Sequence, residues 1–485
     1  MHTKYTKSVV ISSLFWKFLE RIGMQSVQLV VQIVLARLLL PKDFGLIAIV
    51  SVLITFANVF IQSGFNNALI QKKDADEKDF SSALYLSLLI AFILYVIFFI
   101  SSNYIALFYQ EEQLVSIIRI LSINLFLGAF ISIQNAYIVK HMMFKKLFFS
   151  SLVSILISGI AGIISAYMGC GVWALVIQQI TIRLSIFIIL CFIIKWKPRL
   201  QFSFTRIKIL LSFGSKLLAA NFIRTLYMDI RTLVIGKVYK ASILGFYNRG
   251  ENFPKTIVNN IDSSIQTVMF STFSANQDNK KMVKAMVKRT ITSSSFLIFP
   301  AMIGLAVGAE SLVKIILTEK WLASVPFLQI FCISYAMTPI QNVNIQAISA
   351  IGRSDIILKI QIIVKVISFI ILFISIPFGI YVIAFGTVIS EFISMIVHIY
   401  PIKKLLDYSY YEQLKDIFPS LLMSILMGAI VNIFNFVNIP AWQILVIQIF
   451  AGIIIYIGMA KIFKVESLNY LINSIKNMMA KTNLN

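Results

Sequence analysis

Cysteine and histidine are scarce in this chain, three of each among 485 residues, and neither kind gathers into a site. Cys170, Cys191 and Cys332 stand far apart, in or beside apolar segments. That spacing excludes a cysteine metal centre, three thiols cannot all pair within one chain, and they read as packing residues. His2, His141 and His398 are equally dispersed. No phosphate-cradling glycine loop, paired-cysteine motif or HExxH occurs, so nothing points to ATPase or metalloenzyme chemistry, and no metal or organic cofactor is expected. Charge is thin as well, at 13% of residues, and acids are the scarcer sign: 20 Asp+Glu against 43 Lys+Arg, a net charge of +23. Such a balance on a soluble fold suggests nucleic acid, but that requires a basic patch, and here the cations lie mainly in short loops between apolar runs.

Apolar residues fill the chain, at 59%, with a mean hydropathy of +0.88. A soluble domain has no use for so much apolar surface, which predicts an all-α polytopic membrane protein. Runs of about 20 residues, the length a bilayer requires, can be placed about fourteen times. The most polar of them are 211–236 and 243–270. The first run, from Val9, is interrupted by Lys17, Glu20 and Arg21 and lacks a small-residue cleavage site, so it is expected to be an uncleaved span.

The loops predict orientation. With the N-terminus inside, the loops QKKDADEKD, KHMMFKK, KWKPRLQFSFTRIK, the run from Lys280 to Arg289 and the C-terminal tail share one side. By our count that side holds about 27 Lys/Arg, the opposite side about 6, and about 10 lie within spans. Both termini are therefore expected in the cytoplasm, with an even number of spans. A faint internal echo accompanies this. LLPKDFGLIA aligns with YKASILGFYN on Gly45 and Gly245, and GCGVWALVIQQ with IPFGIYVIAFG on Gly171 and Gly379, at offsets of 200 and 208 residues. Two parallel six-helix repeats followed by two further helices account for both offsets, and transporters are often built this way. The expected organisation is an N-terminal lobe over 1–200, a second lobe over 201–405, and two additional helices with a tail over 406–485.

Polar residues within the spans are ordered. Lys17, Arg21, Gln25, Gln28 and Gln32 are spaced 4, 4, 3 and 4, which puts them on one helical face, with Glu20 placed to pair with Lys17. Asn248, Asn252, Lys255, Asn259, Asp262 and Gln266 repeat the rhythm, with Arg249 and Glu251 alongside, and Lys216, Arg224 and Arg231 follow one face of the span before. Isolated polar residues in spans serve helix-to-helix hydrogen bonding. Three aligned stripes instead predict a hydrated cavity, because lipid-facing stripes of this kind would not be tolerated. Seven cations (Lys17, Arg21, Lys216, Arg224, Arg231, Arg249, Lys255) stand against four acids (Glu20, Asp229, Glu251, Asp262). Fixed guanidinium forks suit phosphate, and the lining amides Gln25, Gln28, Asn252, Asn259 and Gln266 suit sugar hydroxyls. The expected substrate is an anion carrying phosphate. The four acids, with Glu391, are candidate sites for a coupling H⁺ or Na⁺, the alternative being that each neutralises a neighbouring cation. Pro254, Pro300, Pro339 and Pro377 sit in or at the ends of spans, where bends are permitted.

The segment FWKFLERIGMQSVQLVVQIVLARLLLPKDFGLIAI resembles the opening of Wzx-type polysaccharide repeat-unit flippases, within the multidrug/oligosaccharidyl-lipid/polysaccharide exporter superfamily. SGFNNALIQKKDADEKDFSSA, GVWALVIQQ, MDIRTLVIGKVYKASILGFYNRGENFPKTI and AISAIGRSDI carry the similarity along nearly the whole chain, closest to the colanic-acid and teichuronic-acid exporters. One departure is Ser271 in MFSTFSANQ, where the family pattern has proline. The resemblance implies two six-helix lobes around a central cavity, and alternating access that moves an undecaprenyl-diphosphate-linked oligosaccharide from the inner to the outer leaflet of the bacterial cytoplasmic membrane. It further implies that the first, second, seventh and eighth helices line the cavity, and that a polysaccharide polymerase and chain-length machinery are partners. Rival readings are a lipid II flippase, which shares the anionic head group, and a cation-coupled drug exporter, whose cavity should be more acidic or aromatic. A membrane glycosyltransferase would need a larger extracytoplasmic segment than GAESLVKIILTEKWLAS, and a scaffold leaves the aligned charges unexplained.

Overall fold

In hydrocarbon no water is present to satisfy backbone N–H and C=O groups, so a chain made of apolar runs must bond its backbone within each run. The computed structural model accordingly holds helices and no strand among the described residues. Those residues are 7–470 and 473, except 63, 64, 73 and 195; the side chains of 7–11, 14, 209, 211–213, 216, 217, 220, 227, 264, 267, 268, 270 and 271 also lie outside the description.

The chain divides into two compact units, Met1–Gly245 and Phe246–Asn485. The first contains α1 (Lys7–Leu38), α2 (Pro41–Gln62), α3 (Phe65–Gln71), α4 (Glu77–Tyr109), α5 (Gln113–Leu121), α6 (Asn124–Lys140), α7 (Phe144–Tyr167), α8 (Val172–Ile193) and α9 (Phe204–Val238). Helix α10 (Ala241–Ser274) begins in the first unit and continues into the second. There it is followed by α11 (Lys280–Val307), α12 (Ala309–Ile316), a 3₁₀ turn at Glu319–Ser324, α13 (Val325–Ala336), α14 (Thr338–Ala350), α15 (Ser354–Ser375), α16 (Ile380–Leu406), α17 (Tyr410–Asn432) and α18 (Ala441–Ile462).

Twelve described helical stretches are long and apolar enough to cross a membrane. The other two long helices, α9 and α10, have 35 and 34 residues, or about 50 Å each, more than a bilayer core needs. Both carry the polar stripes. The repeat is visible in the helix boundaries. α1 ends at Leu38 and α9 at Val238, and α2 starts at Pro41 and α10 at Ala241. α5 and α6 answer to α13 and α14, each two helices in close succession, and α7 and α8 answer to α15 and α16. Gly171 (φ 56°) and Gly379 (φ 103°) both precede a helix in backbone regions that favour glycine. The segment GAESLVKIILTEKWLAS has no counterpart in the first half. It folds into α12 and the 3₁₀ turn, and buries Trp321 completely.

Small residues set the packing. Without a hydrophobic drive between helices in lipid, close approach must come from shape. Helix α7 packs between α1 and α8 through buried Ser150, Ser151, Ser154, Ser158, Gly159 and Gly162. A Cβ on Gly159 would lie 2.5 Å from Val31 of α1. In the second unit α17 packs on α11, where a Cβ on Gly428 would lie 2.5 Å from Ile303, and α18 packs on α12 and α17.

Polar loops tie the first unit at one end. Asp76 and Asp79 form a capping box on α4. Asp79, fully buried, receives Lys72 at 2.7 Å and Arg206 of α9 at 3.4 Å. Arg206 also donates to Asp76, and holds that carboxyl down at about 2, against the usual 3.8. A depressed carboxyl stabilises the fold above its unfolded value, and that contribution disappears as pH falls through about 2. Asp76→Asn should therefore flatten the acid limb of the melting-temperature profile, by less than about 1 kcal/mol since the side chain is half-exposed. A melt in detergent across that range checks it; an acid limb as steep as the parent's would assign acid sensitivity elsewhere.

Candidate functional site

The first unit brings most of the α1 stripe to one place. Lys17, Glu20, Arg21, Met24, Gln25 and Gln28 line an open pocket of about 480 Å³ together with Ile155 of α7. The 4–4–3 spacing turns these side chains toward α7 one turn after another. Lys17 Nζ lies 2.5 Å from Glu20, whose other oxygen accepts from Ser151 Oγ at 3.4 Å. That pair is internally neutral. Arg21 is exposed and forms no salt bridge among the described residues, so the cavity retains one fixed positive charge. Gln25 and Gln28, half-buried, supply neutral donors and acceptors beside it.

Helix α9 contributes Arg224, which is exposed and likewise without a salt bridge among the described residues. Asp229 and Arg231 are half-buried and engaged with neighbours. Lys237 is held at the helix end, where it donates to Phe108 O at 2.5 Å and lies 4.2 Å from the Phe108 ring. The side chain of Lys216 lies outside the described residues.

In the second unit the α10 stripe separates into two environments. Asn252 and Asn259 are exposed, and Lys255, half-buried, lies 3.4 Å from Glu251. Glu251 also accepts from Tyr335 Oη of α13 at 2.8 Å. Arg249 is only 8% exposed, with its guanidinium 5.3 Å from the Trp321 ring. Here it packs inside the unit rather than presenting an open fork. Asp262 is 4% exposed and accepts from the amides of Gln266 and Asn342, while its second oxygen has no hydrogen-bond partner. Gln346 extends the network to Gln266 at 3.1 Å. No group of His, Cys, Asp or Glu suited to a metal ion occurs among the described residues.

An apolar cleft of about 580 Å³ lies in the same unit, among α10, α11, α17 and α18, lined by Ile257, Leu297, Pro300, Leu305, Ile449 and Ile453 among others. It can hold hydrocarbon and little else.

Residues 34–326, more than half of the chain, match the family described as polysaccharide biosynthesis protein. The chain belongs to that family. Teichuronic acid biosynthesis protein TuaB of Bacillus subtilis (strain 168) is 30% identical over 307 residues, covering 62% of each chain. The match thus spans less than two thirds of that relative's length. Lipopolysaccharide biosynthesis protein WzxC of Escherichia coli (strain K12) is 26% identical over 357 residues, 72% of this chain and 71% of the other. Among solved structures, the lipid II flippase MurJ in an inward closed conformation superposes with a TM-score of 0.74 at 18% identity, covering 93% of this chain and 98% of that one. An inward-facing MATE-family multidrug resistance transporter gives 0.60 at 14% identity, over 80% and 96%. At such identities the likeness is one of fold: a polytopic all-helical transporter architecture. This member of the polysaccharide biosynthesis family is a multi-pass bacterial membrane protein.

Several residues of the site in this family member are silent in the sequence. Tyr335, Asn342 and Gln346 lie in α13 and α14, within Glu319–Ala350, a stretch long and apolar enough to cross a membrane. Their trace is a run of four amides, Gln341, Asn342, Asn344 and Gln346, in TPIQNVNIQAISA, with Asn342 and Gln346 at i, i+4. Gln341 donates to Glu391 at 2.9 Å and accepts from Ser394 at 2.9 Å, a second buried network of the same kind. Arg183, exposed midway along α8 and without a salt bridge among the described residues, is a further cation that stripe counting passes over.

Proposed function

We propose that this protein is a flippase that moves undecaprenyl-diphosphate-linked oligosaccharide repeat units from the inner to the outer leaflet of the cytoplasmic membrane by alternating access, for surface polysaccharide synthesis. The observation that carries the reading is the α1 pocket, where Arg21 is left uncompensated beside Gln25 and Gln28. A bare guanidinium at that place suits an anion, and its donor fork suits a phosphate. The glutamines suit sugar hydroxyls. The family relatives named for teichuronic acid and lipopolysaccharide biosynthesis support a polysaccharide precursor as substrate. The protein would make no covalent change in it. The Lys/Arg bias of the loops supports both termini in the cytoplasm. Surface polysaccharide polymerase and chain-length proteins are the partners such a step would feed. A coupling H⁺ or Na⁺ would bind at Asp262, since Glu20 and Glu251 each already hold a lysine.

The test is the leaflet sidedness of lipid-diphosphate-linked oligosaccharide, read with an impermeant sugar-modifying probe. Loss of the protein should trap the oligosaccharide on the cytoplasmic side. Arg21→Gln and Arg224→Gln should insert normally yet slow translocation roughly tenfold or more each, the worth of a hydrogen bond to a charged group. Unchanged sidedness with lowered resistance to cationic drugs would replace this reading with that of a drug exporter.

A further inference from the structure

A cavity of about 890 Å³ in the second unit shares no lining residue with the α1 pocket, and none of the stripe residues lines it. It lies between the first half of α11, the middle of α17 and the chain that follows α18. Its size falls within the roughly 300–1,000 Å³ of ligand-sized pockets.

Its charge is sorted along its length. At the rim are Lys288, Arg289, Lys415, Asp416 and Glu466. Asp416 is already engaged, by Lys288 at 2.8 Å and by Tyr408 Oη at 2.7 Å. Lys284, just outside, takes Glu412 at 3.0 Å. Arg289 and Lys415 have no carboxylate partner among the described residues. The Arg289 guanidinium lies 3.5 Å from the Tyr470 ring centroid, which fixes it while leaving the N–H groups at its edge unused. Ser293 Oγ, also in the lining, is buried without a hydrogen-bond partner.

Away from the rim the wall turns apolar. From Lys415 to Leu426 along α17 is about 16 Å at 1.5 Å per residue, and over it Phe418, Leu422 and Leu426 are 57%, 43% and 43% exposed. A cationic mouth above an apolar trench matches an anionic head group with hydrocarbon attached. A soluble anion has no use for the trench, and an apolar peptide has none for the mouth. Residues 467–485 of the chain's own tail are a poor occupant, because they carry Lys476 and Lys481 and no acidic side chain.

We propose that this pocket binds one molecule of an anionic glycerophospholipid. The phosphodiester is held by Arg289, Lys415 and the Ser293 hydroxyl, and an acyl chain lies along Phe418, Leu422 and Leu426. The lipid then fastens the segment after α18 to α11 and α17. The site is independent of the flippase reading and of the membrane orientation.

Native mass spectrometry of the full-length protein released from detergent tests it, with phosphatidylglycerol, phosphatidylcholine, inorganic phosphate and a polyprenyl phosphate as separate probes. One phosphatidylglycerol should be retained in preference to phosphatidylcholine. Arg289→Gln and Lys415→Gln should each weaken it about fivefold, the worth of one cation at a membrane surface. Lys281→Gln, outside the lining, should leave it unchanged. A second variant, Leu422→Ser with Leu426→Ser, keeps every charge and should also lose the lipid. Equal retention of both phospholipids, or no loss in the cation variants, overturns the proposal. Displacement by inorganic phosphate alone would make this a plain anion site, and preference for polyprenyl phosphate would make it a dock for the transported lipid; either result overturns it. Binding only after removal of 471–485 would show that the tail fills the pocket, and would overturn the proposal too.

Discussion

Alanine at Gly45 or at Gly245 should prevent the protein from accumulating folded in the membrane. A Cβ on Gly45 would lie 1.8 Å from the carbonyl oxygen of Ala241, and one on Gly245 would lie 2.0 Å from the carbonyl oxygen of Pro41. The two contacts are reciprocal: each glycine, four residues into its helix, receives the first residue of the other helix. Both obstacles are backbone, so no side chain can swing away, and the helix starts must separate. Ordinary overpacking by one methyl costs about 1–3 kcal/mol, and a clash with fixed carbonyls belongs at or beyond the upper end. Gly458→Ala is the control, because a Cβ there meets nothing within 4 Å. The measurement is the yield of monodisperse protein in mild detergent and its melting temperature. A Gly45→Ala or Gly245→Ala protein that melts with the parent would show that the two helix starts are free to part.

That crossing also explains how the repeat could be read before any coordinates. Gly45 and Gly245 are 200 residues apart in sequence and do the same job, so the same local pattern recurs, an apolar residue before the glycine and another after it. Gly171 and Gly379 recur because each starts a helix from positive φ. The α1 stripe was equally legible: spacing fixes a face, and that face meets a cavity. Spacing does not say what else a face meets. In α10 it places Arg249 near the same stripe as Asn252, yet Arg249 packs against Trp321, which is 72 residues further on in a segment that reads as a mere connection. The partners of Asp262 were hidden for another reason. Asn342 and Gln346 are two of four amides in α14, beside Gln341 and Asn344, and their spacing does not say which helix they meet. A membrane helix tolerates one amide when a neighbouring helix satisfies it, and sequence cannot show the neighbour.

Asp262→Asn should uncouple transport while leaving the fold intact. Of the four acids in the stripes, Glu20 holds Lys17, Glu251 holds Lys255 and Tyr335, and Asp229 is engaged with its own neighbours. Asp262 forms no salt bridge among the described residues and is 4% exposed. Two amides cannot balance a full negative charge removed from water, where an unpaired ion costs several kcal/mol. A bound proton or Na⁺ would supply the balance, and its arrival and departure would alternate the state of α10 and α14 through Asn342. Asparagine keeps the size of the side chain and an acceptor oxygen, but it can take no proton at neutral pH and brings no charge to hold Na⁺. One positive charge moved per cycle is worth about 2.3 kcal/mol per 100 mV of membrane potential, so losing it should lower the attainable leaflet ratio roughly fiftyfold at that potential. Stability should hold or rise by about 1 kcal/mol, since an uncompensated acid has been replaced by a neutral amide. The measurement is gradient-driven translocation in proteoliposomes, with the H⁺ and Na⁺ gradients collapsed in turn, beside the melting temperature of each protein. Parental, gradient-sensitive drive in the Asp262→Asn protein would remove Asp262 from the cycle. A fall in melting temperature would instead make the acid a structural member of the α10–α14 contact.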